Sequence, residues 1–96
     1  MDTIELQSMI AEFNSKRQGW RELHTPENLV KSIAIESAEL LELTQWGIDQ
    51  DKEKWQYEIA DIAIYLFGLC NVMDLDIAEC IVKKLAINER RFPSPR

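Results

Sequence analysis

Apolar residues recur at helical intervals along most of the chain, and no segment shows the two-residue alternation of a half-buried strand. Ile4, Met9, Ile10 and Phe13 form the first such stripe and predict a helix over about 3–18, ended by Gly19. A loop through Trp20 and His24 follows. Thr25 as N-cap and Pro26 at the first helical position open a second helix. The pattern carries it to Trp46, where Gly47 supplies a left-handed turn, for a length of about 31 Å. The polar stretch Asp49-Gln50-Asp51 makes a short connection between antiparallel neighbours, and a third helix runs over 52–73. Asp76, three residues before Glu79, forms a capping box that starts a fourth helix over 76–90, and Pro93 and Pro95 end regular structure. The expectation is an all-α, four-helix bundle forming one domain over residues 1–96.

The third helix does not fit a small monomer. From Ile59 to Met73 it is apolar almost all round, interrupted chiefly by Asp61, Gly68 and Asn71, so it needs cover on most sides. Three other helices in a chain of 96 residues supply too little of it. Pairing of chains is the simplest remedy, and the bundle is expected to be completed in a homodimer or homotetramer, with the site sharing residues across a subunit boundary.

Four carboxylates interrupt the apolar stripes. Glu36 and Glu39 lie three apart in the second helix, Glu58 and Asp61 three apart in the third, so each pair shares a face. Glu36 falls between Leu29 and Leu43 on the helical wheel, with Glu39 at the edge of the stripe. Unpaired ionised carboxylates in such positions cost several kcal/mol or take up protons. Glu27, Glu42 and Glu53, by contrast, fall on polar faces. Two helices packed together would gather the four acids at one cation site, near which Tyr65 would place its hydroxyl. Burial as ion pairs is the competing explanation, with only 11 Lys and Arg to serve it.

Charge and composition narrow the classes. A net charge of −6 argues against a general nucleic-acid or anionic-membrane surface. The start of the chain carries Asp2 and Glu5 where a secretory signal would be basic, and the apolar run is too short to span a bilayer, so a cytoplasmic protein is expected. Cys70 and Cys80 fit that compartment as free, mostly buried thiols. Asp49 and Asp51 do not make a calcium loop, because the turn glycine and the twelfth-place glutamate are missing. Carboxylate oxygens alone favour magnesium or manganese, and magnesium commonly binds together with substrate phosphates. Di-iron bundles use Glu-x-x-His pairs, which this chain lacks.

Glu36-Ser37-Ala38-Glu39 followed by Glu58-Ile59-Ala60-Asp61 resembles the E-x-x-E and E-x-x-D motif of the MazG-like, all-α nucleoside triphosphate pyrophosphohydrolases. Trp20-Arg21-Glu22-Leu23-His24, Asn28-Leu29, Gln45-Trp46, Ile64-Tyr65-Leu66 and Asn88-Glu89-Arg90-Arg91-Phe92-Pro93 look like its branch of small deoxycytidine triphosphate pyrophosphatases. The resemblance covers about residues 9–93. It implies cleavage between the α and β phosphates, with magnesium held by Glu36, Glu39, Glu58 and Asp61; Glu39, at the edge of the apolar stripe, is the candidate general base.

The same resemblance implies a base pocket at Trp20, His24 and Trp46, and nucleotide contacts from Lys84 and Asn88. Arg91 shares a helical face with those two at i+7 from Lys84. One departure stands out: similar proteins often carry an acid where this chain has Ala86, which bears on metal number or nucleotide preference. The chain also lacks the second repeat of the longer MazG proteins. Two other classes remain, a nucleotide-binding sensor without turnover and a helical oligomer that binds a protein partner.

Overall fold

A computed structural model describes residues 1–95. Five helices appear in it: α1 (Thr3–Ser15), α2 (Trp20–Leu23), α3 (Pro26–Glu42), α4 (Lys52–Val72) and α5 (Ile77–Arg91). The all-α reading holds, since the described residues contain no strand beyond an isolated bridge between Gln45 and Gly47. The long helices start where side chains take up their free N–H groups. Asp2 accepts from Glu5 N, Thr25 from Asn28 N, Asp51 from Glu53 N and Asp76 from Glu79 N, at 2.8–3.2 Å. Each cap contributes about 1 kcal/mol.

Three expectations need correction. The segment around Trp20 is one helical turn, α2, too short to leave a periodic signal. The second predicted helix stops at Glu42, short of Trp46, because its last carbonyls find other donors. Thr44 Oγ1 donates to Leu41 O at 2.8 Å and Asp49 N returns to Leu43 O at 2.8 Å, while Gly47, at φ 99°, serves the connection beyond. Trp55 closes that connection by donating Nε1–H to Asp49 O at 2.8 Å. Finally, Cys70 is half-buried and Cys80 exposed, because α5 lacks cover.

The α3–α4 hairpin is the main packing unit, α1 lies along α4, and α2 touches α1. Leu29, Ile10 and Ile77 are the buried apolar residues. α5 packs broadly against no other helix and leaves Ile81, Val82 and Leu85 exposed. A groove of about 420 Å³ between α1 and α4, lined wholly by apolar side chains that include Met9, Phe13, Ala63 and Phe67, also stays open. The chain therefore exposes 7734 Å², against about 5,700 Å² for a compact monomer of 11.2 kDa. Its radius of gyration is 15.9 Å, where about 12.5 Å is usual.

One polar latch aims α5. Gln7 Nε2 donates to Asn71 Oδ1 at 3.0 Å and to Leu75 O at 3.1 Å, and Gln7 Oε1 accepts from Ile77 N at 2.9 Å. Asn71 Nδ2 returns a bond to Gln7 O at 2.9 Å. Gln7 thus fastens the joint between α4 and α5 to α1. Gln7→Ala strips Asn71 Oδ1 and the first N–H of α5 of partners, while the bond from Asn71 Nδ2 to the backbone carbonyl of residue 7 remains, so chemical denaturation should show a loss of about 2 kcal/mol. An unchanged midpoint would mean that water replaces the latch without cost.

Candidate metal centre and adjoining pocket

Packing of α3 on α4 brings the two acid pairs together. Oxygens of Glu36, Glu58 and Asp61 all lie within 4.8 Å of one another. Glu39, one turn on from Glu36, acts on both Glu36 and Glu58 by hydrogen bonding and by charge. Burial is less than the sequence suggests: Glu36 and Glu58 are half-buried, whereas Glu39 and Asp61 are exposed. In each pair one member faces the helix–helix seam and the other, a turn along, reaches its rim. Glu36 Oε2 and Glu58 Oε2 are both buried without a hydrogen-bond partner.

Ion pairing does not account for the cluster. The salt bridges among the described residues join Lys16 to Glu12, Lys31 to Glu27 and Lys54 to Asp49, all away from the four acids. Protons take the place of cations. Glu36 is pushed up to about 7, first by a hydrogen bond to Glu39 that needs the proton, then by burial and by repulsion from Glu39, Asp61 and Glu58. Glu58 is raised chiefly by burial, then by the charges of Glu39 and Asp61. Two orphaned oxygens in an all-oxygen donor set fit a hard divalent cation.

These shifts predict how stability follows pH. Glu36 titrates near 4.5 when unfolded and near 7 when folded, so between those values the folded chain holds a proton that the unfolded chain lacks. That contribution is full below about pH 4.5 and is lost as pH rises through about 7. Metal-free protein should melt progressively lower from about pH 5 to about pH 8, and magnesium, which favours the ionised cluster, should flatten the slope. A metal-free melting temperature that rose over this range would contradict the clustering of the acids.

Beside the acids the structure separates the other candidates. Tyr65 is half-buried one turn beyond Asp61 on α4. The tyrosine that does bond a carboxylate is Tyr57, whose hydroxyl donates to Glu53 at 2.9 Å. Trp20 and His24 line a pocket of about 170 Å³ between α1, α2 and α4. Their rings are tilted at 59°, with centroids 6.3 Å apart. Gly68 forms part of the pocket wall, and a Cβ there would meet Asn14 Nδ2 at 3.4 Å. Asn14 also lines this pocket, although in the sequence it reads as one more polar residue near the end of α1.

Trp46 does not join this pocket within a single chain; it is 91% exposed beyond α3. Lys84 and Asn88 share a shallow surface on α5, and the Arg91 guanidinium sits 5.1 Å over the Phe92 ring. Because α5 packs broadly on neither α3 nor α4, the chain by itself does not close these three residues over the acids.

Known proteins are similar to this chain. Over 100 residues the chain is 31% identical to dCTP pyrophosphatase 1 of Homo sapiens, and over 99 residues 32% identical to that of Bos taurus. These alignments take in 94% and 93% of the chain, which spans only 58% of the length of either relative. A crystal structure of a pyrophosphatase from Archaeoglobus fulgidus superposes with a TM-score of 0.80 at 40% identity, covering 94% of this chain and 91% of that one. The MazG-like family matches residues 31–95, which hold all four acids of the α3–α4 seam. With more than half of its length matched in this way, the chain belongs to the MazG-like family.

Proposed function

We propose that this protein is a metal-dependent nucleoside triphosphate pyrophosphohydrolase that converts dCTP or related deoxynucleoside triphosphates to the monophosphate and pyrophosphate. The observation that carries this reading is the meeting of Glu36, Glu58 and Asp61 oxygens within 4.8 Å, two of the carboxylates having orphaned buried oxygens. The names of the similar proteins point to the same reaction.

Glu36, Glu39, Glu58 and Asp61 would hold magnesium, or manganese in its place. When bound, the metal neutralises phosphate oxygens and acidifies the attacking water. Glu39 accepts that water's proton, being exposed at the rim where substrate enters. Trp20 and His24 hold the base, since the pocket they line also opens on α4 at Gly68. Gly68 follows Asp61 by seven residues, about two turns and about 10 Å along the same helical face. That separation suits a nucleotide with its base in the pocket and its phosphates at the acids.

The native form is a homodimer or homotetramer. About 2,000 Å² of exposure beyond that of a compact monomer exceeds the roughly 800 Å² each partner gives to a standard interface. In that assembly Lys84, Asn88 and Arg91 of α5, together with Trp46, complete the phosphate and base contacts. The protein acts in the cytoplasm; no described helix is long and apolar enough to cross a membrane.

The test is product analysis with each common deoxynucleoside and ribonucleoside triphosphate in the presence of magnesium. Pyrophosphate and monophosphate in equal amounts, without diphosphate, are expected. Magnesium-dependent nucleotide binding without pyrophosphate would reduce the protein to a sensor, and neither binding nor release would leave a helical interaction protein.

A further inference from the structure

The small pocket between α1, α2 and α4 contains more polar chemistry than stacking requires. His24 Nδ1 lies 3.0 Å from Trp20 O. A carbonyl oxygen can only accept, so the neutral ring carries its proton on Nδ1 and presents Nε2 as a bare acceptor. Asn71 also lines the pocket, but its amide is occupied on both sides by Gln7. Asn14 differs from it. The Asn14 carboxamide makes no side-chain hydrogen bond among the described residues, is half-buried, and lies against the open face of Gly68.

Left free at the wall of the pocket, that carboxamide has a donor and an acceptor to offer a ligand. At about 170 Å³ the cavity is well below the roughly 300 Å³ at which pockets begin to enclose drug-sized ligands, so it takes a base and not a whole nucleotide. A fixed acceptor on His24 calls for a donor on that base. Cytosine offers its 4-amino group there, with N3 as an adjacent acceptor for an amide N–H. Uracil and thymine put a carbonyl oxygen where cytosine has the amine, facing acceptor with acceptor.

We propose that Asn14 is a specificity-determining residue, its carboxamide reading the edge of a pyrimidine base together with Nε2 of His24. This assignment rests on the nucleotide-hydrolysing reading and deepens it. Gly68 makes room for the contact, since a Cβ at that position would meet Asn14 Nδ2 at 3.4 Å. The metal-binding acids do not decide the base; the pairing of Asn14 and His24 does.

Steady-state kinetics with dCTP and dUTP, with magnesium present, test it in the full-length protein, in Asn14→Ala and in Asn14→Asp. Asn14→Ala should raise KM for dCTP about tenfold or more while changing kcat much less. The dCTP to dUTP ratio of kcat/KM should narrow by a similar factor. Asn14→Asp keeps the shape but loses the amide donor, so it too should lose preference for dCTP, and it carries the test should the alanine variant fold poorly. An unchanged dCTP to dUTP ratio in both variants of an active enzyme overturns the assignment alone. No pyrophosphate from the unaltered protein with any nucleotide overturns the underlying reading, and this one with it.

Discussion

Glu58→Gln should abolish nearly all pyrophosphate release and yet raise the melting temperature of the metal-free protein. The two effects share one cause. Glu58 has a buried, unpartnered oxygen, and its protonation is favoured by burial and by the charges of Glu39 and Asp61. Glutamine removes a negative charge from this crowd and offers an N–H to a neighbouring carboxylate, so repulsion becomes attraction. Catalysis loses a ligand from a cation worth several kcal/mol to the transition state, a fall of about a hundredfold to a thousandfold or more. Magnesium should stabilise the unaltered protein and do so much less for the variant. A variant that melts lower without metal and hydrolyses normally would reduce Glu58 to an ordinary structural acid.

Phe67→Glu should dissolve the assembly. Phe67 lines the apolar groove between α1 and α4, whose mouth is open in the single chain. Phe67 is half-buried in the single chain, so a charge there costs some stability even facing water and several kcal/mol more if a second chain covers it. Light scattering should therefore give a multiple of 11.2 kDa for the unaltered protein, with a melting temperature that rises with concentration. The variant should run as the single chain or lose its cooperative melt. An unaltered protein that stays at 11.2 kDa at all concentrations would show the groove and α5 to be simply exposed.

Much of this molecule is written in local pattern, and the parts that are not share a physical reason. Thr25, Pro26 and Asp76 announce helix starts because capping is settled within a few residues. The acid pairs could be singled out because charge in an apolar stripe conflicts with burial, whatever the partner helix. The end of α3 departs from the local pattern because Asp49 N and the Thr44 hydroxyl, rather than Gly47, satisfy its last turns. Asn14 was invisible because its meaning depends on which groups of His24 and Asn71 are already engaged. Resemblance alone links Trp46, Lys84 and Asn88 to the site, and a single chain does not bring them to it.

The latch at Gln7 sets an order of events. Its bonds close loops of 64, 68 and 70 residues, the most distant side-chain hydrogen bonds among the described residues, whereas the α3–α4 hairpin joins neighbours in sequence. Local contacts form before distant ones because less chain entropy is lost in closing them. During folding the hairpin should thus gather the acids first, and α5 should take its direction only once α1 has docked. Rapid-mixing experiments on Gln7→Ala should show faster unfolding and nearly unchanged folding, the mark of a contact made after the rate-limiting step. α1 thus decides, late in folding, where α5 comes to lie.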